Sequence, residues 1–246
     1  MPKAKTFLKA CSESFLDALY PGVCIFCDGP SERSVCNDCE SKIGVLPRGL
    51  CPRCGLGDGT ECGSCGWMNS LDWLRSAVNY HGRGGHVVRS LKFRRLTGLA
   101  STMSEAIAEL LQAAPPHDLI VPVPIHWSRM ALRGFNQADQ IAENAGSARI
   151  KPEVLVRHRR TRAQAKLTLK LRRQNLLDAL RSTELNGERI MLVDDVVTSG
   201  ATLEACAHEL KRRGASWVGA VTYARQSFDL HERSSSASPY APAFNL

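Results

Sequence analysis

Residues 189–202 read RIMLVDDVVTSGAT. An apolar run from Arg189 to Val193 leads into two adjacent carboxylates, Asp194 and Asp195. A small turn follows, Thr198-Ser199-Gly200-Ala201-Thr202, and then a helical pattern from Ala201 to Arg213 closed by Gly214. A short, continuously apolar run of this kind reads as a strand buried on both faces, the signature of a parallel sheet. A turn at the carboxyl end of such a strand lies where open α/β sheets bind ligands. The backbone N–H groups of the following helix point out of its first turn and attract an anion. Gly200 lets the backbone come close to a ligand, and Thr198, Ser199 and Thr202 add hydroxyls. The carboxylates suit ribose hydroxyls, reached directly or through Mg²⁺. A helix cap needs one such side chain; two carboxylates ahead of three hydroxyls exceed that need.

Strand and helix patterns alternate on both sides of this segment. Upstream, strands are expected at Leu74–Tyr80, Leu119–Pro124 and Val154–Arg157, and helices at Gly84–Arg94, Leu99–Gln112, Gly134–Asn144 and Leu169–Leu180. Downstream lies one more strand, Ser216–Thr222. This order predicts an α/β fold with a mainly parallel sheet flanked by helices. Residues 1–20 read as a short amphipathic helix halted by Pro21-Gly22, and 227–246 as a disordered tail.

The segment 21–69 has a different character. Eight of the ten cysteines fall in four Cys-x-x-Cys pairs: Cys24/Cys27, Cys36/Cys39, Cys51/Cys54 and Cys62/Cys65. Each pair aims two thiolates at one tetrahedral metal, and two pairs complete a closed Cys₄ site. The spacing predicts a small double zinc ribbon holding two structural Zn²⁺. Sequential pairing of the tetrads is the default, with an interleaved arrangement also open. Disulfides do not fit a chain that shows no secretion signal, and a redox dithiol occurs once, not four times. Cys11 and Cys206 read as packing residues on helices.

The chain has 246 residues and a formal net charge of +8. No apolar run approaches the ~20 residues that span a bilayer, and the N-terminal segment lacks the core of a signal peptide. A cytoplasmic protein with no membrane span is expected. Its positive charge is concentrated: between Lys151 and Arg173 nine Lys or Arg stand against one acid, Glu153. A one-sign run of that length suits phosphates of a nucleotide or of single-stranded DNA. It lacks the interleaved aromatics of a base-stacking platform.

The turn after Asp195 resembles the phosphoribosyl-pyrophosphate (PRPP) motif of type I phosphoribosyltransferases. Val121-Pro-Val-Pro124, followed by Arg129 and by Arg133-Gly-Phe-Asn136-Gln137, resembles the VPVP…RGFNQ signature of the ComF family of DNA-uptake proteins. Gln164, Leu167, Arg172 and Asn175 fit that family's Q-x-x-L…R-x-x-N spacing, and Arg225 its closing Ala-Arg. The resemblance covers residues 20–226 and implies a phosphoribosyltransferase-like domain over 70–226 behind the double zinc ribbon of 21–69. It implies that Asp194 and Asp195 are the catalytic, ribose-contacting pair and that Thr198, Ser199, Gly200, Ala201 and Thr202 hold the 5′-phosphate, with Mg²⁺ accompanying PRPP. Arg129, Arg133, Asn136 and Gln137 would form a pyrophosphate loop. Arg159, Arg160, Arg162, Gln164, Lys166 and Arg172 would belong to a mobile basic loop that closes on PRPP or touches DNA. Three readings follow. One is a DNA-uptake factor binding a PRPP-like ligand and single-stranded DNA, beside competence proteins such as a helicase-like translocase or a recombination mediator. The second is an active phosphoribosyltransferase of unknown acceptor. The third is a zinc-ribbon adaptor with a vestigial nucleotide site.

Overall fold

The computed structural model describes residues 22–46, 51–56, 62, 65–94, 96, 98–126, 130–131, 134–146, 149–158 and 177–226. The amphipathic helix expected over 1–20, Cys11 and the tail expected over 227–246 lie outside them. Among the described residues no helix is long and apolar enough to cross a membrane.

Among the described residues, four parallel strands form the main sheet in the order β1-β6-β5-β2: β1 Trp73–Asn79, β2 Leu119–Pro122, β5 Arg189–Val197 and β6 Trp217–Arg225. β5 is central and its run Ile190–Val193 is wholly buried, as expected for a strand covered on both faces. A short antiparallel pair, β3 (Leu155–Arg157) and β4 (Leu180–Ser182), forms a second sheet. A single parallel bridge, Ile120 to Ile150, extends the β2 edge toward it.

Helices α2 (Arg83–Arg94), α3 (Leu99–Gln112) and α4 (Gln137–Asn144) cover one face, and α5 (Ala201–Arg212) covers the other. A one-turn helix, α1 (Asn37–Glu40), lies in the cysteine-rich segment. In α3 the residues Leu99, Ala100, Met103 and Ile107 are buried, the stripe that helical periodicity demands of a core-facing helix.

The two cysteine clusters straddle the β1 edge. Cys24, Cys39 and Ile43 share the core of α2, α3 and α4, whereas Cys51, Cys54, Cys65 and Met68 share the core of α5. Between them the chain covers β1 itself. Val45 bridges Val78 in antiparallel register, Leu46 N donates to Ala77 O at 3.0 Å, Asn79 N to Gly44 O at 2.9 Å and Leu74 N to Arg53 O at 2.8 Å. An edge that would otherwise offer unpaired N–H groups to another chain is thus occupied.

Several boundaries differ from the periodic reading. β5 continues to Val197 and β6 to Arg225, because Asp194 pairs with Thr222, Val196 with Ala224 and Val197 with Arg225. Charge had suggested an earlier end, but the ladder carries the strand past it. α4 begins at Gln137, not Gly134, because Asn136 caps it: its side chain accepts from Ala138 N. The helix expected over Leu169–Leu180 lies largely outside the described residues, and its last residue opens β4.

Candidate functional site

The turn after β5 is set by one backbone choice. Gly200 is left-handed, with φ 76°, and immediately precedes α5. Its carbonyl accepts from Glu204 N at 2.9 Å, but no side chain caps the helix. Thr198, Ser199 and Ala201 are exposed and Thr202 is half-buried. The N-cap position is a glycine with no side chain to cap with, and the hydroxyls of Thr198, Ser199 and Thr202 lie beside a helix N-terminus where partial positive charge collects. Asp194, Val197, Thr198, Ser199, Gly200 and Thr202 line an open cleft.

The two aspartates lie inside β5, not beyond its end. Asp195 is buried, and Lys92 from the last turn of α2 reaches it, with Nζ 2.8 Å from each carboxylate oxygen. The apolar run was expected to end at Val193, ahead of the pair, but the strand carries both carboxylates: one at the depth of Asp195 requires a counter-charge, and α2, packed on β1 and β6, supplies it. Asp194 is partly buried and lines the cleft. Burial, then repulsion from Asp195, pushes its carboxyl up from 3.8 to about 8, although the Lys92 ammonium opposes the shift. Asp194 therefore places a carboxyl that changes protonation near neutrality on the wall of the cleft. Sequence reasoning missed Lys92, and no spacing in the chain links positions 92 and 195.

β2 delivers its loop to the same edge. It pairs in parallel with β5, Pro122 opposite Val193, and Val123 N donates to Val193 O at 2.9 Å. The residues after Val123 thus leave the sheet beside Asp194. Of the expected pyrophosphate loop, Asn136 and Gln137 are buried. Asn136 Nδ2 donates to Val123 O at 3.2 Å and to Asp139 Oδ1 at 2.8 Å. Its amide ties α4 to the end of β2 and is not the open donor that was expected. Arg129 and Arg133 lie outside the described residues, as do Arg159, Arg160, Arg162, Gln164, Lys166 and Arg172. On either side of residues 159–176, β3 and β4 pair with Arg157 opposite Leu180.

The cysteines gather in sequential tetrads, Cys24/Cys27/Cys36/Cys39 and Cys51/Cys54/Cys62/Cys65, with all sulfurs of a set within 4.8 Å of one another. Tetrahedral Zn–S bonds of ~2.3 Å place sulfurs about 3.8 Å apart. The Sγ pairs Cys27–Cys36 at 3.8 Å, Cys51–Cys65 at 3.9 Å and Cys54–Cys62 at 3.4 Å fit that geometry. Burial raises the Cys24 thiol, but N–H groups of Cys36, Phe26 and Cys27 more than offset it and bring the thiol down to about 6. Cys51 is brought to about 7 against its own burial by the N–H groups of Cys54 and Arg53. Each tetrad thus holds one readily formed thiolate, the species that binds metal. Arg225, at the end of β6, donates to Cys54 O at 3.0 Å and ties the second tetrad to the sheet. Cys206 is buried on α5, and burial pushes its thiol far up, in keeping with a packing role.

Comparison with known proteins agrees with both halves of this arrangement. A phosphoribosyl transferase domain model matches residues 133–239, and a double zinc ribbon domain model matches residues 15–66. The two tetrads are accordingly structural zinc sites. DNA utilization protein YhgH of Escherichia coli (strain K12) is 32% identical over 216 residues, covering 80% of this chain and 94% of that protein. Competence protein F of Haemophilus influenzae is 27% identical, covering 79% of this chain and 93% of its own. Competence protein ComFC of Bacillus subtilis is 26% identical over 230 residues, with 82% and 95% covered. With a double zinc ribbon leading into a phosphoribosyltransferase domain and relatives matched along almost their full length, the chain belongs to the ComF family.

Proposed function

We propose that this protein binds a phosphoribosyl diphosphate of the PRPP type, with Mg²⁺, and acts in the cytoplasm on single-stranded DNA during its uptake or utilisation. The observation that carries the ligand reading is the cleft at the N-terminus of α5, where Thr198, Ser199 and Thr202 line one space with Asp194 and the N-cap is glycine. A 5′-phosphate there would meet backbone N–H groups and hydroxyls together. Asp194 would accept from the ribose, while Asp195 becomes available when Lys92 turns to a more negative partner. Mg²⁺ bound with the diphosphate would supply the charge neutralisation that Lys92 gives Asp195 without ligand. The residues after Val123, with Arg129 and Arg133, would meet the diphosphate.

The DNA reading rests on other ground. The relatives are named for DNA utilisation and competence, and the run between Lys151 and Arg173 is the most basic part of the chain. Arg159, Arg160, Arg162, Lys166 and Arg172 would contact strand phosphates. A helicase-like translocase and a recombination mediator are the partners this role would bring. Thiols arranged for metal fit a reducing compartment. Calorimetric titration with PRPP and with a single-stranded oligodeoxynucleotide, each with and without Mg²⁺, tests the proposal. Mg²⁺-assisted PRPP binding and salt-sensitive DNA binding are expected. Failure of PRPP to bind under either condition would remove the ligand half, and DNA binding indifferent to salt would remove the other.

A further inference from the structure

Trp67 has no part in a closed Cys₄ site, yet it touches the phosphate turn. A methyl group built on Gly200 would lie 2.3 Å from Trp67 Cη2, 2.4 Å from Cζ3 and 2.5 Å from Cζ2. The six-membered ring of the indole therefore rests directly on the Gly200 α-carbon, on the residue whose left-handed conformation shapes the turn. We propose that Trp67 is a positioning residue for this turn, and that metal binding at the second cysteine tetrad is linked to 5′-phosphate binding beside it.

Three further observations carry the linkage. Trp67 follows Cys65, a tetrad ligand, by two positions, and Met68 N donates to Cys65 O at 2.9 Å. The backbone leading from Trp67 toward β1 is then clamped by α5 itself. The carboxylate of Glu204, buried in the first helical turn, accepts from Asn69 N at 3.1 Å, Ser70 N at 2.7 Å and Leu71 N at 3.2 Å. Finally, Cys51, Cys54, Cys65 and Met68 share one apolar cluster with Val197 and Leu203, the residues that flank the turn. A tetrad that loses its metal loses the bonds that fix Cys62 and Cys65, because the segment has little apolar core of its own. The indole then no longer fixes Gly200, and a phosphate must order the turn at its own expense. Linkage is reciprocal, so a phosphate bound in the turn must in equal measure hold the metal.

The inference rests on the phosphate-site reading, and the test separates the two. The probe is ribose 5-phosphate, and the measurement is zinc release from the whole protein to a chromogenic chelator, with affinity followed by calorimetry. Saturating ribose 5-phosphate should slow release of about half the zinc by several-fold, the second tetrad's share, and leave the other half unchanged as an internal control. Trp67→Ala should abolish that protection and weaken ribose 5-phosphate binding by about tenfold, within the usual span of coupling between sites. Trp67→Phe should restore part of both. Zinc release indifferent to bound ribose 5-phosphate in the wild-type chain overturns the linkage even if the alanine variant does not fold. Unchanged affinity in a folded Trp67→Ala variant overturns the positioning role. Failure of the wild-type chain to bind ribose 5-phosphate overturns the phosphate site, and this inference with it.

Discussion

Gly200 and Asp194 show how single residues set the site. At Gly200 an added methyl meets both a left-handed backbone and the Trp67 ring at 2.3–2.5 Å. Gly200→Ala should destabilise the protein by about 1–3 kcal/mol, read from denaturant unfolding; a change below about 0.5 kcal/mol would mean that the indole does not rest there. Asp194 carries a carboxyl raised to about 8 in the fold. Between about pH 4 and pH 8 the folded chain holds this proton and the unfolded chain does not, so stability is lost as the pH rises through that window. Thermal melts should show the midpoint falling across it, and Asp194→Asn should flatten the slope; an identical slope in the variant would reassign the group. Lys92→Met should move the window upward, since the ammonium lowers the Asp194 value. The aspartate pair and its turn were legible in the sequence because they are contiguous. Lys92 was not, because it meets Asp195 across 103 positions and only the packing of α2 brings it there.

At the scale of elements, the alternation of strands and helices was legible because burial imposes period and length, while the ends were not. β5 passes through Asp194 and Asp195 because β6 pairs with it as far as Val197, and a strand's partner cannot be read from its own residues. Asn136 illustrates the converse: it was expected as an open donor, but helix α4 uses its amide as a cap and as a tie to Val123. β3 and β4, which stand on either side of residues 159–176, pair in a sheet of their own, outside the main one. Replacing Arg159, Arg160 and Arg162 together by Glu should weaken binding of unrelated single-stranded oligonucleotides alike. The slope of log affinity against log salt should become shallower by about two, from ~0.7 per lost phosphate contact. A wild-type slope in that variant would show that the stretch is only a solvated surface.

Across the whole molecule, the zinc ribbons and the sheet form joint cores on both faces of the β1 edge. The cysteine spacing made the metal legible, but not this integration, since the segment's few apolar residues are completed by partners far along the chain. Metal analysis should find about two zinc ions per chain, as two closed tetrads require. Chelation should loosen β1 together with the ribbons, because Arg53, Gly44 and Val45 cover its edge; hydrogen exchange that leaves the β1 amides as protected as before would contradict this. Whether the turn after β5 seats a 5′-phosphate can be read from amide ¹H–¹⁵N NMR during titration with ribose 5-phosphate. The largest shifts should fall at the backbone amides of Thr198, Ser199, Gly200, Ala201 and Thr202, with the Trp67 indole N–H moving at the same ligand concentration. Shifts confined to the basic stretch between Lys151 and Arg173, with the amides of the turn unmoved, would contradict it.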